Sequence, residues 1–279
     1  MAGGERRGGF APRGGESPLA FAVAQRDRDT LSMVRDAIAR HQVILAYQPV
    51  FPTVQPTVPA FWEGLIRILD RNGRVIPARQ FVHAIEETEL GRQIDCFALK
   101  LGLSTLAHHR DLRLSINMSA RSIGYPRWLD TLERGLHADP TIAERLILEI
   151  TESSAMMVPD ILQVFMADMQ NRGICFAIDD FGAGFTALRY LREFFFDIMK
   201  IDGQFISNIH ANADNQVLTQ AMISIGRHFE MFTIAEFVET RADAAFLAEI
   251  GIDCMQGFYF GPPSIRPSWL APASGEQAG

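Results

Sequence analysis

Ile174-Cys175-Phe176-Ala177-Ile178-Asp179-Asp180-Phe181-Gly182-Ala183-Gly184 is the stretch from which the fold is read. Five uncharged residues run into two adjacent acids, and a glycine-broken loop follows. A short apolar run preceded by Gly173 has the character of a buried strand. Neighbouring side chains on a strand point to opposite faces, so Asp179 and Asp180 both reach one site only where the strand ends and the chain turns. Two carboxylates that close raise each other's pKa unless a positive group lies between them. A divalent cation with a taste for hard oxygen ligands, Mg²⁺ or Mn²⁺, is the economical candidate. The plainer alternative is an acidic pair capping a helix at a solvated turn.

Outward from this segment the chain alternates. Strands are expected at Val43–Gln48, Phe61–Ile68, Leu112–Asn117, Leu146–Ile150, 174–179, Ile198–Ile201, Phe232–Ala235 and Ile252–Gln256. Helical patterns fall near 78–88, 93–109, 126–137 and 185–193. Another begins at Pro159, places Ile161, Leu162, Phe165, Met166 and Met169 on one face, and stops at Gly173. A further helix carries Val217, Leu218, Ala221, Met222 and Ile225, and a last one runs from a Thr240 cap to Gly251. Strands and helices alternating over about 230 residues have the size and rhythm of an α/β, TIM-like (β/α)8 barrel. A doubly wound open sheet is the competing architecture, but no glycine-rich phosphate loop opens any helix.

Residues 1–18 are rich in Gly and Arg with little to bury, so a disordered leader is expected, and 271–279 reads as a disordered tail. Between them, 19–270 forms the barrel domain, opened by a charged N-terminal helix at 19–41. The 279 residues are 48% hydrophobic and 21% charged, ordinary for a globular protein with a sizeable core. A net charge of −7 argues against a nucleic-acid polymer as partner. Three scattered cysteines and the lack of any apolar stretch long enough to span a bilayer point to a cytoplasmic protein with reduced thiols. The seven histidines make no metal-binding spacing.

Chemistry-bearing side chains recur where the apolar runs end: Glu63, Asn117, Glu149 with Glu152, Asp179 with Asp180, Lys200, Glu236 with Glu239, and Gln256. In a barrel these positions converge on one mouth. Singly, each is explained as a cap or a turn former; together, so many acids around one lysine repel unless cations neutralise them. One Asp bridging two metals, held by further carboxylates and an Asn carbonyl, suits a two-metal hydrolase of a phosphate ester. Ligands without His or Cys favour Mg²⁺ or Mn²⁺ over Zn²⁺.

These residues also carry a family resemblance. Glu63-Gly64-Leu65-Ile66-Arg67 resembles the EALLR segment of the EAL cyclic-di-GMP phosphodiesterases. Asn117-Met118-Ser119 is similar to that family's Asn-x-Ser, and Glu149 to Ser153 to its ExTES. Asp179-Asp180-Phe181-Gly182, Lys200-Ile201-Asp202, Ala235 to Glu239 and Gln256-Gly257-Phe258 resemble DDFG, KID, AEGVE and QGY. The resemblance extends from about Gln48 to Pro263 and implies a barrel with one strand reversed, hydrolysing cyclic di-GMP to linear pGpG with two Mg²⁺ or Mn²⁺ ions. It implies Glu63, Asn117, Glu149 and Asp179 on one metal, and Asp180 and Glu236 supporting a second bridged by Asp179. Lys200 would orient or deprotonate the attacking water, and Glu239 would act one layer behind. Gln256 would steady the water network, Arg67 would grip a phosphate oxygen, and Gln48 would face the ligand. Glu152 would anchor the loop after Asp180, and a homodimer is expected.

The departures are few. Gly64 stands where the family has alanine, Phe237 where it has glycine, and Gly182 to Leu188 lacks the hydroxyls of GTGYSSL at positions 183, 185 and 187. The Trp-x-His-Pro that usually follows the arginine is replaced by Ile68-Leu69-Asp70-Arg71. An active phosphodiesterase is the leading reading, since every ligand and the lysine are present. The alternative is a cyclic-di-GMP receptor without turnover, signalling through a protein partner. A glycosidase using two carboxylates is remote, given the Asn, Lys and Asp-Asp set.

Overall fold

The computed structural model describes residues 17–184 and 191–270. The expected leader up to residue 16, the tail at 271–279 and the expected helix near 185–193 up to residue 190 lie outside the described residues. Among the described residues the strands are β1 (Val43–Pro52), β2 (Phe61–Leu69), β3 (Val75–Pro77), β4 (Leu114–Asn117), β5 (Leu146–Thr151), β6 (Cys175–Phe181), β7 (Ile198–Ile201), β8 (Phe232–Ala235) and β9 (Cys254–Met255). They form one sheet in the order β1-β9-β8-β7-β6-β5-β4-β2-β3, closed by a β1–β2 pairing. β1 runs antiparallel to both its barrel neighbours, β2 and β9, while the rest of the ring is parallel. The barrel with one reversed strand is therefore realised. The short β3, absent from the sequence reading, extends β2 as a hairpin outside the ring.

The helices are α1 (Pro18–Ala39), α2 (Val82–Ile85), α3 (Glu89–His108), α4 (Pro126–Ala138), α5 (Glu152–Ala155), α6 (Pro159–Asn171), α7 (Gly203–Ile206), α8 (Ala213–His228) and α9 (Arg241–Ile250). The terminators behave as their chemistry demands. Gly173 and Gly251 adopt positive φ of 97° and 83° past the ends of α6 and α9, and the Thr240 side chain accepts from Asp243 N at the start of α9. The helix expected over 78–88 is a 3-10 turn, Ala78–Gln80, followed by the single turn of α2.

Two expected helix faces are corrected. α6 buries Leu162, Phe165, Met166 and Met169, but Ile161 is 58% exposed. α8 buries Thr219, Met222, Ile223 and Gly226 and leaves Val217 and Leu218 exposed. At Gly226 the seam of α8 approaches β8 so closely that a side chain would collide with Thr233. Close approach selected the face, and apolar bulk was a poor guide to it.

Two apolar layers position the site. The larger lies between the barrel and its helices, with Leu99, Leu114, Ile116, Trp128, Leu148 and Phe176 fully buried. The smaller fills the barrel interior with Val50, Phe61, Ile147, Ala177, Ile198, Ile234 and Cys254. Inward positions on a strand recur every second residue. One step beyond Phe61, Ile147, Ala177, Ile198, Ile234 and Cys254 therefore stand Glu63, Glu149, Asp179, Lys200, Glu236 and Gln256. The plug closes the barrel beneath, and the polar layer opens at its mouth.

Candidate metal centre

Lys200, on β7, is fully buried with its Nζ among four carboxylates. The ammonium is 2.8 Å from Glu149 Oε2, 2.9 Å from Asp179 Oδ1, 3.0 Å from Glu236 Oε1 and 3.6 Å from Glu63 Oε2. Burial alone would lower its pKa, but the surrounding charges of Asp179, Glu149, Glu236 and Glu63 hold it well above the ordinary lysine value. One cation against this many acids leaves a deficit. Burial, with neighbours Glu63 and Asp179, pushes Glu149 up to about 8. Burial and the same crowding hold Glu236 well above the carboxylate range. Glu63 is the exception: burial pushes it up, but Lys200 and hydrogen bonds from Gln256 and Asn117 outweigh that and hold it low.

The amides are oriented by the carboxylates. Asn117 Nδ2 donates to Glu63 Oε1 at 3.0 Å, so its carbonyl oxygen is the atom left to act as a ligand. Gln256 Nε2 donates to Glu63 Oε2 at 2.6 Å and to Gln48 Oε1 at 3.2 Å. Gln48, paired with Glu63 across β1 and β2, donates in turn to Gly261 O at 3.0 Å. Its amide thus has partners within the protein on both ends.

Asp180 shows how adjacent acids share one site. The β6–β7 register shifts between Ile178 and Phe181, and Asp180 takes a left-handed φ of 55°. This bulge brings its side chain back toward that of Asp179. Burial, Asp179 and Asp202 push the Asp180 carboxyl up to about 6. Glu63, Glu149 and Asp179 then each offer a carboxylate oxygen within 4.8 Å of the others, and so do Asp179, Asp180 and Glu236. Asp179 belongs to both groups. The buried oxygen Glu149 Oε1 has no hydrogen bond among the described residues, a deficit that cation coordination would remove. An all-oxygen set with one amide carbonyl fits Mg²⁺ or Mn²⁺.

The remaining expected residues lie farther out. Glu152, at the start of α5, accepts from Gly182 N at 2.7 Å. This tether uses the main chain, so the hydroxyls missing from Ala183, Phe185 and Ala187 are not required for it; residues 185–188 of that loop lie outside the described residues. Arg67 is half-buried on β2, four residues or about 13 Å along the strand from Glu63. Its Nη1 donates to Ile66 O at 2.9 Å, and burial lowers its pKa. Glu239 is exposed and forms no ion pair or hydrogen bond among the described residues, so the fold leaves it outside the cluster.

Some contributors had no motif to announce them. Asp95 of α3 is half-buried and accepts from Ser119 N at 3.0 Å and Ser122 Oγ at 2.6 Å, fixing the turn that follows Asn117. An isolated acid within an apolar helical face was its only signal. Phe237 takes a left-handed φ of 54°, where a non-glycine residue costs about 1–3 kcal/mol. Its ring lies against Gly203, where a β-carbon would stand 2.6 Å from its Cγ.

Comparison with known proteins agrees with this geometry. The family model described as EAL domain matches residues 31–263. The bifunctional diguanylate cyclase/cyclic di-GMP phosphodiesterase MucR of Pseudomonas aeruginosa is 32% identical over 258 residues, 90% of this chain and 37% of that protein. The cyclic di-GMP phosphodiesterase PdeB of Shewanella oneidensis is 30% identical over 240 residues, 85% of this chain and 28% of its own. The chain thus spans about a third of the length of the curated relatives it matches. Among solved structures, a MucR phosphodiesterase–c-di-GMP complex superposes with a TM-score of 0.74 at 29% identity, covering 86% of this chain and 98% of that one. The FimX EAL domain from Pseudomonas aeruginosa bound to c-di-GMP gives 0.77 at 25% identity, covering 85% and 97%. No helix among the described residues is long and apolar enough to cross a membrane.

Proposed function

The chain belongs to the EAL domain family, and from that premise we propose that it hydrolyses cyclic di-GMP to linear pGpG in a metal-dependent reaction. The observation that carries the reading is Asp179 standing in both carboxylate triads, the arrangement a bridging ligand between two ions requires. Glu63, Asn117, Glu149 and Asp179 would hold the first Mg²⁺ or Mn²⁺, and Asp179, Asp180 and Glu236 would hold the second. Such ions, when bound, would supply polarisation of the phosphoryl oxygens and a lowered pKa for the attacking water.

The chain's own groups do the rest. Lys200, held protonated by its neighbours, orients the attacking water through an N–H and offset the charge gathering on phosphorus; with its proton held so firmly it is a poor base. Water's oxygen joins phosphorus, one ester P–O bond breaks, and the ribose oxygen leaves as a hydroxyl. Arg67, higher on β2, grips a phosphate oxygen. Gln256 and Gln48 keep Glu63 in its ligating rotamer, and Glu152 holds the loop after Asp180. Glu239 acts from the rim. A cytoplasmic location, a homodimer and a protein partner belong to the same reading.

Incubation of the purified protein with cyclic di-GMP and Mn²⁺, with products resolved by chromatography, tests it. Linear pGpG formed by the wild type and absent with Glu63→Ala is the expected result. Saturable binding without any product would instead assign the protein to the receptors.

A further inference from the structure

We infer that Phe237 is a stacking platform for one guanine of the substrate, a specificity-determining contact that rests on the cyclic di-GMP reading above. Its left-handed backbone is imposed from both sides. Glu236 N donates to Ile201 O at 3.2 Å, and Val238 N donates to Gln256 O at 2.9 Å, so the ends of β7 and β9 fix the chain around it. Strain of this kind persists only where the surroundings over-determine it, and it gathers at functional sites.

The ring is also supported. Its Cγ edge lies over the bare main chain of Gly203, at the start of α7, and a β-carbon at that position would displace it. Yet the residue is 58% exposed. A side chain serving only to seal the gap at Gly203 would be covered. What remains is a rigid apolar ring, backed on one side and open on the other, one residue from Glu236 of the Asp179–Asp180–Glu236 carboxylate triad. A dinucleotide whose phosphate sits at those carboxylates has planar bases to place at the rim. Every base presents a π-face to an aromatic side chain, which needs no hydrogen-bond partner to bind it.

The experiment uses calcium-loaded protein, to allow binding without turnover. Cyclic di-GMP is titrated by calorimetry, and a cyclic dinucleotide with 2-aminopurine in place of one guanine is followed by fluorescence. Wild type and Phe237→Trp are expected to quench the probe. Phe237→Leu, which keeps apolar bulk without a ring face, is expected to lose the quenching and to bind cyclic di-GMP about tenfold more weakly, with its thermal unfolding unchanged. Phe237→Leu that quenches and binds like wild type overturns the platform and leaves the proposed function standing. Wild-type protein that binds neither ligand overturns both.

Discussion

Ile116 explains why glycine at position 64 is more than a lost methyl. A β-carbon at Gly64 would stand 2.6 Å from Ile116 Cδ1 and 3.2 Å from Ser115 O, and Gly102 meets the same isoleucine at 2.7 Å. The isoleucine fills the space that an alanine methyl at this position would need. Gly64→Ala is therefore expected to destabilise by about 1–3 kcal/mol through overpacking. Adding Ile116→Val, which deletes the offending methyl, should return part of the loss, with a coupling of at least about 0.5 kcal/mol in a chemical-denaturation cycle. A Gly64→Ala protein as stable as the parent would refute the packing account. Lys200 makes the complementary case. It is the one cation among the described residues that touches the carboxylate cluster, so Lys200→Met leaves buried acids without a counter-charge. Metal-free Lys200→Met should lose about 3–5 kcal/mol, and Mn²⁺ should raise its melting temperature by more than it raises that of the wild type. Equal shifts in calorimetric scans would argue against this balance of charge.

At the scale of elements, the site depends on turns that follow strands, and each turn is tied from a neighbouring element. Glu152 holds the turn after β6, and Asp95 of α3 holds the one after β4. Asp95 carries a measurable pH signature. Burial raises its carboxyl to about 6 from an ordinary 3.8, against the opposing pull of Ser122 and Ser119. The folded state thus favours the neutral acid. This contribution to stability is complete below about pH 4 and is lost as pH rises through about 6. The wild type should lose about 3 kcal/mol relative to Asp95→Asn across that window, at 1.36 kcal/mol per unit. Unfolding free energies of the two proteins measured from pH 3.5 to 7 check this. A pH-independent difference between them would show that Asp95 titrates normally.

At the scale of the whole molecule, the barrel stacks a charged layer directly on an apolar plug, and the proposed cations would stabilise that layer. Ligand that binds only the folded chain stabilises it by about 2.7 kcal/mol at a hundred times its dissociation constant. Mn²⁺ or Mg²⁺ should therefore raise the unfolding midpoint, and EDTA should reverse the gain while abolishing turnover. Ca²⁺ should stabilise as well but inhibit, because its larger radius and looser geometry misplace the attacking water. Activity that survives EDTA would remove the metal from the reaction. A midpoint indifferent to all three ions would remove it from the site.

Sequence by itself determined the eight strands of the ring and the identity of the acids, because a buried strand announces itself by an apolar run and its last inward residue by polarity. Phe61/Glu63, Ile147/Glu149, Ala177/Asp179, Ile198/Lys200 and Ile234/Glu236 each carry that signal at a spacing of two. Local chemistry also marked the ends of α6 and α9. Only the tertiary structure decided which face of α8 is buried, that Gly64 is filled by Ile116, and that Asp95 holds the turn after Asn117. It also placed Glu239 outside the cluster and set the Phe237 ring on Gly203. Those outcomes depend on volumes and hydrogen bonds between segments far apart in the chain, and no local periodicity encodes how closely two backbones approach.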